Sequence, residues 1–409
     1  MARYILKGAC IERTEELSFN CSRLSYSGLP EWWSRSGIER SGSSELDGSG
    51  HRVTRFVYTD QDPLAVRLAD AELSVELVWG GSTQRRRIDL HEAVCVRVRT
   101  DRLLSLDEWG ERYDGPLRDL LTLATGHPSV LGHWIVECPV VRMEINGHSY
   151  PKPLEIEFSQ PEPAALSSAG SPGDTLFSLD EVASDLGSVV QRWLEVRERF
   201  TLARQLYYST RYVPSHMYVQ SEFIYLVQAC EIFHEIRFRN RGRKTAEAHA
   251  QAVQDVLAAV PDEHREWVEL RLQGRPKTTL DDRLRFLCNQ HEDIVKPLLS
   301  DVGDFCHRLA VTRNYLTHGG SKSSAVITDM LQFVHANWVL RILFEVCLLS
   351  ELGIISSIRA NPFEGAFRYV HLKANPLFQE LPLRSGRGGV ADFDRSPSSK
   401  EAENTVVPD

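Results

Sequence analysis

Lysine is scarce in this chain, and the usual signatures of a bound cofactor are missing. The 409 residues carry 8 lysines against 39 arginines, within a formal charge of −9. An acidic chain does not coat nucleic acid through bulk charge. Arginine, however, grips phosphate and carboxylate in planar, two-pronged contacts that lysine cannot make, so a local arginine patch remains open. The eight cysteines, Cys10, Cys21, Cys95, Cys138, Cys230, Cys288, Cys306 and Cys347, form no C-x-x-C pair. Most lie in apolar runs, which favours reduced core thiols in a cytosolic protein over disulfides or zinc sites. There is no H-E-x-x-H, no Walker loop, no G-x-G-x-x-G after a strand and no G-x-S-x-G elbow, so neither metal nor cofactor is expected. The opening MARYILKGACIERTEEL gains charge too early for a signal peptide. The longest apolar region, 327–358, is interrupted by His335, Asn337, Arg341 and Glu345, which fits a buried or amphipathic helix and not a membrane span.

What is present is ordinary globular material, 42% hydrophobic and 25% charged, in a chain long enough for two domains. The first half alternates apolar and polar residues with a period of two. Strands are expected at His51–Thr59, Ala71–Trp79, Ala93–Thr100, Trp134–Ile145 and Leu154–Phe158, with Asn146-Gly147 as a hairpin turn. Ser36–Gly50 reads as a mobile loop. One helical island, Ser105–Gly126, opens on the capping-box pattern Ser105-x-x-Glu108. A Pro/Ser/Ala/Gly stretch at 160–175 reads as a linker. Beyond it the period becomes 3.6. Helices are expected from Ser178 to about Ser209, Ser215 to Arg239, Ala246–Val260, Glu263–Leu272, from Thr279 on, Val295–His318 and Ser324–Leu352. The fold class is therefore α+β. A β-rich domain with a helical insertion (1–159) precedes an all-α bundle (176–383), and 384–409 form a disordered tail.

One segment draws attention, Asp304–Gly320, which ends in Arg313-Asn314-Tyr315-Leu316-Thr317-His318. The bare pattern Arg-x4-His occurs three times, against ~1.3 matches expected by chance, so its setting decides. Arg86–His91 lies between strands, and Arg211–His216 contains the helix-breaking Pro214. Only Arg313–His318 closes a long amphipathic helix. Val302, Phe305, Cys306, Leu309 and Leu316 form its apolar stripe, and Arg313 falls on that stripe, where a charge must be paired or face a cleft. Gly319-Gly320 ends the helix and leaves His318 on the last turn beside free carbonyls. On spacing alone, a salt-bridged arginine and a capping histidine are the better account of the pair.

In this setting RNYLTH resembles the R-x4-6-H motif of HEPN ribonucleases, with the common Asn after the Arg. SEFIYLVQACEIFHEI and TLDDRLRFLCNQ are similar to the ApeA-type HEPN branch, and LSLDEWGERYDGPLRDLLTLATGHPSVLG resembles the N-terminal domain that precedes it. The resemblance spans roughly residues 1–380. It implies an anti-phage, abortive-infection protein of bacterial type: a metal-independent RNase that works as a homodimer through its helical domain. RNA, with tRNA one candidate, would be its substrate. A phage-derived trigger would act at the N-terminal domain. By position, Arg313 and His318 match the catalytic pair, Asn314 the polar second position and Glu231 an acidic residue near the site.

The chemistry fits. RNA carries its own nucleophile, the 2′-hydroxyl; a histidine can move that proton or protonate the leaving 5′-oxygen, and an arginine can stabilise the charge growing on phosphate. The products would be a 2′,3′-cyclic phosphate and a 5′-hydroxyl. One histidine per chain is few for acid–base work, and a two-fold pair would supply two. RFRNRGRK, with Arg237, Arg239, Arg241, Arg243 and Lys244, reads either as a phosphate-binding patch or as a solvated loop, and Tyr315 as a base-stacking ring or as core. Two other readings stay open. One is a non-enzymatic dimerisation and binding module. The other is a nucleotide-binding or nucleotide-modified regulator served by a separate transferase.

Overall fold

The computed structural model describes residues 4–9, 17–33, 35–41, 48–51, 55–84, 87–158, 175–212, 217–239, 246–272, 278–319, 323–355, 361–364 and 367–374. The strands are β1 (Tyr4–Lys7), β2 (Ser18–Tyr26), β3 (Ile38–Ser41), β4 (Arg55–Tyr58), β5 (Leu64–Arg67), β6 (Ala71–Gln84), β7 (Arg87–Ser105), β8 (Leu131–Ile145) and β9 (His148–Phe158). Seven form one antiparallel sheet in the order β1-β9-β8-β2-β7-β6-β5, and β3 pairs with β4 as a separate ribbon. The β8–β9 turn is Asn146-Gly147, with φ of 53° and 79°, the left-handed pair that a two-residue hairpin requires.

The helices of the first half are α1 (Leu29–Trp33), α2 (Leu106–Trp109) and α3 (Gly115–Thr125), the last two joined by a π turn over Gly110–Asp114. The capping box at Ser105 and Glu108 starts α2. Trp109 then covers the sheet: it stacks on Phe19 at 5.1 Å and donates its Nε1 hydrogen to the Phe19 carbonyl at 3.0 Å.

The helical half holds α4 (Leu179–Val182), α5 (Leu186–Arg199), α6 (Thr201–Tyr212), α7 (Val219–Phe238), α8 (Ala246–Ala259), α9 (Asp262–Leu272), α10 (Leu280–Gln290), α11 (Glu292–Val295), α12 (Val302–His318), α13 (Met330–Glu351) and α14 (Phe367–Ala374). Side chains of α7 and α13 interlock in its core, with Phe223 against Phe333 and Phe233 against Phe344. Met330–Glu351 is the one helix among the described residues long and apolar enough to cross a membrane, and most of it is buried in the bundle.

Several expected boundaries need correction. The helix from Ser178 to Ser209 is broken twice, by a 3-10 turn at Ala183–Asp185 and at Phe200, where φ and ψ are −111° and 32°. The Phe200 ring is fully buried and stacks on Phe233 at 4.5 Å, so core packing redirects the chain there. The helix expected over Val295–His318 begins at Val302. Before it, Pro297 lies in a 3-10 turn, and the side chain of Asp301 accepts the Asp304 amide at 2.8 Å to start α12 afresh. The last long helix starts at Met330, not Ser324, on an Asp329 cap. Within the loop expected at Ser36–Gly50, Ile38–Ser41 is strand β3, while 42–47 lie outside the described residues. Outside them too lie 160–174, nearly all of the expected linker, and the expected tail.

The two halves meet at a polar seam. Asp119 on α3 is buried and takes an ion pair from Arg204 on α6, with Arg197 of α5 at 3.7 Å. Burial pushes the Asp119 carboxyl upward, while Arg204, Arg197 and Arg118 pull it down. Tyr208 donates to the Asp119 carbonyl at 2.7 Å, and Trp193 Nε1 donates to the Pro116 carbonyl at 2.8 Å.

Candidate functional site

The site is built on α12. Cys306, Leu309, Ala310 and Thr312 are its buried residues, and Val302, Phe305 and Leu316 pack partly buried against the core. Thr312 Oγ1 accepts the Ile327 amide at 2.9 Å and so pins the chain that leads to α13. Gly319 closes the helix with φ of 68°, and its amide donates to the Tyr315 carbonyl at 3.0 Å.

Arg313 leaves the apolar stripe toward α7, where its Nη2 forms an ion pair with Glu231. Its Nη1 donates to Asn314 Oδ1 at 3.1 Å. Both Arg313 and Glu231 are mostly buried, at 19% and 25% side-chain exposure, so the pair is better shielded from water than a surface contact. His318 points elsewhere. Five residues along a helix turn it by about 140° and raise it by about 7.5 Å. Val311, Asn314, Tyr315 and His318, spaced i, i+3, i+4 and i+7, share one face, and with Gly319 and Val326 they line an open recess of about 360 Å³. The structure therefore gathers Arg313, Glu231 and Asn314 in one group and His318, Asn314 and Tyr315 in another. Asn314 belongs to both.

The arginine segment is divided. Arg237 is bonded to Glu351 at 2.5 Å, a carboxylate that Arg199 also approaches at 3.6 Å. Six residues beyond Glu231, it lies about 120° around α7 from the Arg313 contact. Arg239 is exposed, and Arg241, Arg243 and Lys244 lie outside the described residues.

Sequence reasoning missed three neighbours. Arg283 on α10 reaches Glu235 at 2.9 Å and Glu231 at 4.0 Å. His234, one turn from Glu231, is 1% exposed, and neither ring nitrogen has a hydrogen-bond partner. Burial, reinforced by the nearby Arg283 charge, pushes its imidazole down to about 4 against the opposing pull of Glu235, so it is neutral at ordinary pH. The i, i+4 pair Glu231 and Glu235 in EIFHE was the available signal. Among the described residues no group of three or more His, Cys, Asp or Glu side chains is arranged to hold a metal ion.

Comparison with known families places two models on the chain. The model described as ApeA N-terminal domain 1 matches residues 1–193, and the model described as Apea-like HEPN matches residues 224–357. The first takes in the sheet, α2 and α3 and continues through α4 into α5, which docks on α3. The second contains Glu231, Arg283, Arg313 and His318. No curated protein and no solved structure gives a significant match.

Proposed function

The chain belongs to the ApeA-like HEPN proteins, an ApeA N-terminal domain followed by an Apea-like HEPN domain, and from that premise we propose that it is an anti-phage effector whose helical domain cleaves RNA without a metal and so causes abortive infection. The observation that carries this reading is the arrangement at the end of α12. A mostly buried arginine is held by Glu231 and Asn314, and an exposed histidine sits on the adjoining open face.

In this mechanism Arg313 stabilises the charge that develops on the phosphate oxygens, and His318 moves the proton of the 2′-hydroxyl or of the leaving 5′-oxygen. The nucleophile is internal to the RNA, and the products are a 2′,3′-cyclic phosphate and a 5′-hydroxyl. Because Arg313 and His318 leave one helix in different directions, a second copy that brings its own α12 across the recess would complete the acid–base set. A cytoplasmic homodimer through the helical domain, RNA such as tRNA as substrate and a phage-derived trigger at the N-terminal domain belong to the same proposal.

One observation favours a second reading. Glu231 and Asn314 already engage Arg313, as they would in a purely structural pair inside a non-catalytic binding module. Induction of the wild type and of His318→Ala in cells, followed by mapping of RNA ends, separates the two. Toxicity and new 5′-hydroxyl ends that depend on His318 support cleavage. Equal behaviour of the two proteins supports the binding module.

A further inference from the structure

Around the Arg313–Glu231 pair, charge alternates across three helices. Glu231 and Glu235 stand one turn apart on α7, Arg283 projects from α10 between them, and Arg313 comes from α12. Arg283 is 16% exposed on its side chain, as enclosed as Arg313, and the Nε of each arginine is buried without a hydrogen-bond partner. Two guanidiniums thus face two carboxylates, and Glu231 is the carboxylate they share. An enclosed arginine that touches neither the recess nor His318 needs a role, since ordering and desolvating its side chain costs free energy.

We infer that Arg283 is a positioning residue for the RNA-cleaving site: it holds Glu231 from behind, so that Glu231 restrains Arg313 without fully neutralising it. This inference rests on the cleavage reading. A carboxylate divided between two arginines pulls less strongly on each than one engaged by a single arginine. With Arg283 in place, Arg313 keeps charge available for an incoming phosphate. Without it, the whole Glu231 charge falls on Arg313, and the phosphate must compete with it. Lysine at 283 keeps the positive charge but loses the fork that spans Glu231 and Glu235.

The test uses the full-length protein in two thermodynamic cycles. In the first, RNA cleavage is compared for wild type, Arg283→Gln, Glu231→Gln and the double variant. Arg283→Gln is expected to slow cleavage by about tenfold, Arg283→Lys by less, and Arg283→Gln to add almost nothing once Glu231 is Gln. In the second, urea midpoints are measured for Arg283→Gln and Arg313→Gln, singly and together. Their losses should be non-additive with Glu231 present and additive with Gln at 231. Rates that simply multiply in the first cycle overturn the inference, as do additive midpoints with Glu231 present. If the wild type cuts no RNA, the cleavage reading fails on its own account, and the midpoints still decide whether Arg283 acts on Arg313 through Glu231.

Discussion

Glu231 faces two enclosed guanidiniums, so removal of its charge leaves both short of a counter-charge. Glu231→Gln should lower unfolding stability by about 1–3 kcal/mol, the usual cost of stranding a charged partner in a partly buried site, as read by urea denaturation. His234 gives a pH-dependent counterpart. The folded protein keeps its imidazole neutral down to about 4, whereas an unfolded chain protonates near 6.5. Above 6.5 neither state binds the proton and the group contributes no pH dependence. As pH falls from 6.5 to about 4 the unfolded state gains the proton first, and stability declines. His234→Phe should flatten part of that decline in urea midpoints measured across the window. Burial lowers His291 and His335 as well, so some slope remains. At this scale Arg313, Asn314, His318 and Glu231 could be picked out in the sequence because they share or resemble a motif. Arg283 could not, because its pairing with Glu231 and Glu235 depends on how α10 is rotated against α7, which the i, i+4 spacing of the two glutamates does not encode. Arg237 illustrates the same limit. It reads as part of a basic run, yet its place on α7 carries it to Glu351 and away from Arg313.

At the scale of elements, α12 is fixed at both ends, by Asp301 and by Gly319. Among the described residues, apart from its chain neighbours, no heavy atom lies within 4 Å of where a Cβ on Gly319 would stand, so the cost of alanine there comes from the backbone, whose φ of 68° and ψ of −154° fall in a region almost reserved for glycine. Gly319→Ala should therefore cost about 1–3 kcal/mol, seen as a loss in urea midpoint. It should reduce RNA cleavage more than that stability loss explains, because His318 sits on the turn that the glycine closes. Elements with local chemistry were legible. The capping box at Ser105, the helix starts at Ser178 and Thr279 and the Asn146-Gly147 turn all stand where the sequence puts them. The break at Phe200 was not legible, since the apolar period runs through it and burial of the Phe200 ring decides where the helix stops. The break before Val302 carried local signals in Pro297 and Asp301, which the continuing apolar period overrode. Strands β1, β2 and β5 also escaped notice. In β2, Ser22 is buried beside Cys21 and donates no apolar signal, although its hydroxyl takes the Trp134 indole hydrogen at 2.5 Å.

For the whole molecule, the seam at Asp119 joins the sheet-bearing half to the helical half. Asp119→Asn would leave Arg204 enclosed without its carboxylate and should cost about 3–5 kcal/mol. If the halves unfold as one unit, tryptophan fluorescence and helical circular dichroism will lose their transitions together. Transitions that separate would mean that the seam does not couple the two halves. Assembly is tested by sedimentation of the intact protein, which is expected to be a dimer through the helical domain. The broad α+β plan was readable because the apolar period changes from 2 to 3.6 along the chain. The seam was not, because it joins residues such as Asp119 and Arg204 far apart in sequence. The central claim, that α12 carries a ribonuclease site, is tested most directly by RNA cleavage with purified full-length protein, wild type beside His318→Ala, with the product ends identified. The account predicts 2′,3′-cyclic phosphate and 5′-hydroxyl ends from the wild type and a loss of about 10² or more in rate for a His318→Ala protein that remains folded. A folded His318→Ala protein that cuts RNA at the wild-type rate would contradict it.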